Sequence, residues 1–249
     1  MELQTEKFNL LSNENAILFV MLLGVIFLIY KTYQTPLTSK SFIINIYLYI
    51  MVALLFIAVM GRYTQSLQIT DINNTWKMII VYFIFAFAGI SMMISDKFFV
   101  NHVGFLLLLL ALSLIIGSSY RYANNITQAA TITAVIVAVL TMVVFTTTEE
   151  NLIRMKEWLP NLTWILLCVI LIELGYMFLF DGRNETFYRI LSISVIILFA
   201  FFVLADTSKL IIESKKTPCK THVCINYPLK SSSLILDYLN IFVNLLNHN

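Results

Sequence analysis

Charge is scarce in this chain. Only 12% of its 249 residues are Asp, Glu, Lys or Arg, and the formal net charge is +2. A soluble domain carries about a quarter of its residues charged, so an ordinary water-soluble fold is excluded. The same shortage leaves no basic patch, and nucleic acid is not an expected partner. Three cysteines cannot build a disulfide framework. The three histidines, His102, His222 and His248, are scattered and outline no intramembrane metallohydrolase site. No glycine-rich phosphate loop, nucleophile elbow or mid-span lysine is present. Catalytic residues, resident metal and cofactor are therefore all expected to be absent, and the chain is not expected to be an enzyme.

What the chain has in plenty is apolar sequence, with 59% hydrophobic residues and a mean hydropathy of +0.85. Eight apolar stretches can be marked at 15–33, 41–60, 77–95, 98–117, 127–147, 161–180, 187–208 and 233–247. The first seven approach the roughly 20 residues that a spanning helix needs. The eighth, about 22 Å long as a helix, is expected to cross only partly or to re-enter. Pro36, Pro160, Pro218 and Pro228 all fall between stretches, so no span need be kinked. The longest connection runs from about Lys209 to Ser232, too short for an independent soluble domain. The first stretch follows Glu2, Glu6 and Glu14 and lacks a small-residue cleavage site, which reads as a retained helix rather than a signal peptide. The fold class is all-α, a polytopic membrane helix bundle embedded in a lipid bilayer.

With eight segments, ten of the 16 basic residues fall on the side of the 209–232 loop and six on the side of the N-terminus. The positive-inside rule then places that loop in the cytosol and the N-terminus outside or in a lumen. Sequons at Asn73, Asn125 and Asn184 fall on the outer side and one at Asn161 on the inner; the abundance of asparagine accounts for them by chance.

Three acids stand inside the apolar sequence. The last stretch is apolar except at Ser233, Asp237, Asn240, Asn244, Asn247 and His248, which fall within an arc of roughly 100° on a helix. In a lipid-soluble protein such a stripe should face a bundle interior or a water-filled path. Asp206 ends the run ISVIILFAFFVLAD on the preceding helix. The two aspartates flank one loop on antiparallel helices, each roughly 6–9 Å below the same face, so they can be neighbours. No Lys or Arg is expected inside a span to neutralise them. Two carboxylates in a poorly hydrated place cannot easily both ionise, and one shared proton makes a proton-sensitive latch or a cation site. The alternative is a hydrated, structural pair at headgroup level. Glu173 could extend a cation path lined by Asn240, Asn244 and Ser233, or be protonated and bonded to a neighbouring helix. Cys219, His222 and Cys224 lack a fourth ligand and paired spacing for zinc, and free thiols in a reducing loop are expected there.

Two of these segments carry a family resemblance. LADTSKLIIE (Leu204–Glu213) and SLILDYLNIFVNLL (Ser233–Leu246) resemble the sixth and last helices of the transmembrane Bax inhibitor motif family. In the second, Asp237, Asn240 and Phe242 occupy the motif positions. QAATITAVIVAVLTMVVFTTT (Gln128–Thr148) is similar to that family's fourth helix. The resemblance implies a seven-helix core at 41–249 with a central last helix, preceded at 1–40 by an extension carrying one additional helix. It implies a calcium leak across an internal membrane of endoplasmic reticulum or Golgi type, control by the aspartate pair, and restraint of cell death together with apoptosis-regulating membrane proteins. Calcium is then a permeant ion rather than a cofactor. The basic cluster that some members carry after their second helix is reduced to SDKFFVNH, leaving Lys97 and His102. The rival expectation is a non-conducting scaffold, or a structural component of a viral or organellar membrane, acting through protein partners.

Overall fold

The computed structural model describes residues 13–66, 75–120, 125–179 and 184–248. The Asn73 sequon, Glu2 and Glu6 lie outside them, as do the side chains of Asn247 and His248. Among the described residues the fold is all-α, with nine helices: α1 (Asn13–Tyr33), α2 (Ser39–Ser66), α3 (Thr75–Met93), α4 (Phe98–Tyr120), α5 (Ile126–Thr146), α6 (Glu149–Glu157), α7 (Leu159–Leu179), α8 (Glu185–Lys216) and α9 (Tyr227–His248). A 3₁₀ turn, His222–Cys224, precedes α9. Six helical segments are long and apolar enough to cross a membrane, and a shorter apolar helix runs over Ile79–Met93.

Helix ends depart from the ends of the apolar runs where polar chemistry continues the helix. The run at 187–208 stops at Ser208, yet α8 continues to Lys216 and reaches 32 residues, about 48 Å. Asn184 caps its start, accepting hydrogen bonds from the amides of Thr186 and Phe187 at 3.0 and 3.2 Å. Beyond the apolar run, Ser208 and Ser214 return their hydroxyls to the carbonyls of Leu204 and Ile211, while Leu210, Ile211 and Ile212 are buried. At the other side of the connection, Asn226 caps α9 through the Leu229 amide at 3.1 Å, so this helix starts six residues before the apolar run. Pro160 and Pro228 therefore lie within α7 and α9 rather than between helices. Both occupy first turns, where the missing N–H has no intrahelical partner to lose. Helix α6 was hidden by its charge: its apolar residues are few, and only Leu152 is buried.

The chain divides into two compact units, Met1–Tyr122 with Thr217–Ser232, and Ala123–Lys216 with Ser233–Asn249. This division differs from a split at residue 40, because α1 packs on α2 within the first unit. There α3 and α4 meet backbone to backbone at Gly89 and Gly104. A Cβ on Gly104 would lie 2.6 Å from the Gly89 carbonyl oxygen and the Met93 nitrogen. Helices α2 and α4 are joined by Thr64, which donates to the Ser113 carbonyl at 3.3 Å. In the second unit α5, α6 and α7 all pack on α8. Helix α6 is tied to the end of α8 by a Lys215–Glu149 ion pair at 3.0 Å and by Ser208 against the Met155 sulfur at 3.5 Å. Trp164, Ile165, Leu171 and Ile172 of α7 are exposed, as suits a surface solvated by lipid chains.

Candidate carboxylate site

Asp206 and Asp237 both belong to the second unit, and the fold brings them together. Helices α8 and α9 run antiparallel in contact at two levels. At one, Ser192 donates to the carbonyl of Asn244 at 3.0 Å. At the other, Asp206 is in hydrogen-bonding contact with both Asp237 and Ser233. Along α8 the two levels are about 21 Å apart. Both carboxyls are buried, at 6% and 5% exposure. Oδ2 of Asp237 is buried without a hydrogen-bond partner among the described residues. A carboxylate oxygen in that position favours a proton or a cation over solvation.

Two features of this pair are not legible in the apolar runs. Asp206 lies ten residues before the end of α8, and Asp237 ten residues after the start of α9. The pair is thus about 15 Å along each helix from the connecting loop, because both helices run on past the ends of their apolar runs. Lys209 is one turn from Asp206 on α8 and acts on it electrostatically, opposed by Glu213 one turn further. The hydropathy of 209–216 hid this, because a helix held by α6 needs no apolar run to continue.

The polar stripe on α9 is used unevenly. Ser233 and Asp237 face α8. The amides of Asn240 and Asn244 instead return to their own helix, donating to the carbonyls of Leu236 and Asn240 at 2.8 and 2.9 Å. Both asparagines are only half-buried, whereas Leu234, Ile235, Ile241 and Leu246 on the apolar faces are covered. The stripe therefore runs along the border of the buried surface, with Asp237 at its inner edge. Glu173 is half-buried and remote from the pair. Its helix reverses into α8 with Tyr176 stacked on Phe187 at 3.9 Å, which sets Glu173 near the level of residue 190. From there to Asp206 is roughly 24 Å along α8.

A second polar cluster, in the first unit, was invisible in the sequence because its members are far apart in the chain. His102 donates from Nδ1 to the Phe98 carbonyl at 2.7 Å, which leaves Nε2 to accept from the Tyr49 hydroxyl at 2.5 Å. The Tyr33 hydroxyl lies 3.1 Å from that of Tyr49. The Tyr49 ring stacks on Tyr227 at 5.6 Å. His222 is buried and accepts at Nδ1 from Tyr227 at 2.7 Å and from the Asn45 amide at 3.1 Å. The Asn45 carbonyl oxygen is bonded in turn by Thr32. Burial holds the His222 imidazole below its usual range, partly offset by the Pro36 and Thr35 carbonyls, and burial raises the Tyr227 phenol above its own. The helical spacing of Asn45 and Tyr49 on α2 was the only local signal for this cluster.

Cys219 and Cys224 are not free thiols: they are joined in a disulfide, with Cα atoms 6.0 Å apart. Each lacks any other soft ligand, and among the described residues no group of three His, Cys, Asp or Glu could hold a metal. Cys168 is a free, exposed thiol.

Long apolar helices, an all-α fold and an acidic pair buried between two of them define a multi-pass integral membrane protein. The family model for the inhibitor of apoptosis-promoting Bax1 matches residues 39–248, and the chain belongs to that Bax inhibitor motif family. The match begins at α2 and leaves α1 outside. No curated protein and no solved structure matches the chain significantly.

Proposed function

We propose that Asp206 and Asp237 form the proton- and cation-binding site of a calcium leak channel in an intracellular membrane. The observation that carries this reading is the contact between two buried carboxyls, of which Asp237 keeps one buried oxygen without a hydrogen-bond partner among the described residues. Two ionised carboxylates in contact repel, and the repulsion is relieved either by one shared proton or by a divalent cation. Protons and calcium therefore compete for the same oxygens. Calcium takes about six to eight oxygen ligands. The two carboxyls and the Ser233 hydroxyl supply fewer, so water must complete the shell and binding is weak enough for release. That suits transit rather than storage. Lys209 limits the net negative charge near the pair and so weakens retention further. Family membership supports a role in restraining cell death, with calcium release as its physical basis and apoptosis-regulating membrane proteins as partners.

The test is calcium flux into liposomes containing the purified full chain, at two pH values. A leak that changes with pH is expected. No flux at either pH from protein shown to be folded would overturn the channel and favour the scaffold acting through partners.

A further inference from the structure

We propose that the Cys219–Cys224 disulfide is a reversible redox site that locks His222 into the tyrosine cluster of the first unit. Both cysteines belong to the connection between α8 and α9, in the sequence TPCKTHVCIN (Thr217–Asn226). The bond closes a short ring, and His222 lies inside it. The ring is two-faced. Cys224 is exposed and Cys219 partly so, whereas His222 is only 2% exposed.

What the ring holds in place is specific. His222 lies between Tyr33 and Tyr227, with ring centroids at 5.7 and 6.0 Å, and takes two hydrogen bonds at Nδ1. Asn226 anchors the far end of the segment, donating to the Met93 carbonyl at 2.6 Å. Upstream of His222, the cross-link is the covalent constraint that keeps the segment folded back on itself. A neutral imidazole in this place has surrendered its water, and it stays only while the segment is held. Removing a cross-link restores conformational freedom to the open segment and shifts the balance toward release.

The chemistry requires a thiol reductant. A thiolate attacks one sulfur, breaks the Cys219–Cys224 bond and forms a mixed disulfide. A second thiol displaces the reductant as its own disulfide. Two electrons and two protons pass to the protein, which ends with two free thiols. Exposure of the sulfurs gives the reductant access that a buried structural disulfide denies. Disulfides facing a reducing compartment are transient and regulatory, which matches the cytosolic side expected for this loop.

Full-length protein in lipid nanodiscs tests this by peptide mapping and by diethylpyrocarbonate labelling of His222 before and after dithiothreitol. The unreduced protein should yield a Cys219–Cys224 cross-linked peptide with Cys168 free. Reduction should speed His222 labelling roughly tenfold, as expected for a local opening, and reoxidation with glutathione disulfide should reverse it. The Cys219→Ser/Cys224→Ser double variant should label fast in either condition. Should that variant not purify as a folded species, the reduction and reoxidation cycle of the natural chain decides alone. Absence of the cross-linked peptide, or equal labelling before and after reduction, overturns the proposal.

Discussion

In the proposed site the competing states of Asp206 and Asp237 differ by a single proton, and substitution removes that choice. Asparagine keeps shape and hydrogen bonding but cannot ionise. Asp206→Asn and Asp237→Asn are each expected to flatten the pH dependence of calcium flux, and the double change to add little, since either one abolishes the repulsion. Flux across a pH series in liposomes checks this, and full pH dependence in both single variants would leave the pair as structural polar anchors. His222 gives a second pH effect, of opposite origin. Its folded form prefers the neutral state, held below the usual 6.5. The stability it contributes is complete above 6.5 and is lost as pH falls, because the released imidazole takes up a proton before the buried one does. Around it stand the phenols of Tyr33 and Tyr227 and the amide of Asn45, with no carboxylate partner in its hydrogen bonds. Hydrogen-exchange protection over 217–226, after correction for the pH dependence of the intrinsic exchange rate, should therefore fall on acidification below that value and be steady above it.

At the scale of elements, α3 and α4 approach so closely that their contact has no room for a methyl group. Gly104→Ala would put a Cβ 2.6 Å from backbone atoms of α3, which cannot swing aside as a side chain could. A loss of about 1–3 kcal/mol is expected, read as a lowered thermal midpoint in detergent. Gly175→Ala on α7 meets nothing within 4 Å and should be neutral or stabilising, a control for glycine replacement in a helix. For α9, cysteines at Ile235 and Leu239, 1% and 7% exposed, should resist aqueous thiol labelling more than cysteines at Asn240 and Asn244. Uniform labelling around the helix would place it loosely at the interface instead. The apolar runs located seven of the long helices to within a turn or two at most ends. They missed α6 and the last eight residues of α8 because charged residues interrupt both segments, which are held by one another. The Lys215–Glu149 pair between them is exposed and worth less than about 1 kcal/mol, so Leu152 and the Ser208–Met155 contact matter more.

At the scale of the whole molecule, orientation is set by where basic residues gather. With ten of 16 on one side, the 217–226 segment is expected to face the cytosol. Since its own cysteines are bonded, the check needs a new one: Lys220→Cys in a background with Cys168, Cys219 and Cys224 replaced by serine. In sealed vesicles of known orientation a membrane-impermeant thiol reagent on the cytosolic side should label it, and protection would reverse the topology. The helix α1 lies outside the family match yet places Thr32 and Tyr33 in the cluster around Asn45, Tyr49 and His222. Its last turn is therefore part of the packed unit rather than a detachable anchor.

Composition and periodicity alone determined the class of protein, its helical architecture and the candidate carboxylates. Lipid solubility demands long apolar helices, and an acid within such a helix stands out against that background. Antiparallel neighbours joined by one loop also made the meeting of Asp206 with Asp237 legible, since such a connection fixes which ends are adjacent. Only the tertiary structure decided how far the pair lies from the helix ends, that α8 runs on through Lys209, and that Glu173 sits remote from both aspartates. Helix ends depend on what packs against the backbone, which hydropathy does not record. The joining of Cys219 to Cys224 around a buried His222, and the gathering of Tyr33, Tyr49, His102 and Tyr227, likewise arise from packing between distant segments. No local pattern in the chain encodes which of its scattered polar residues will meet there.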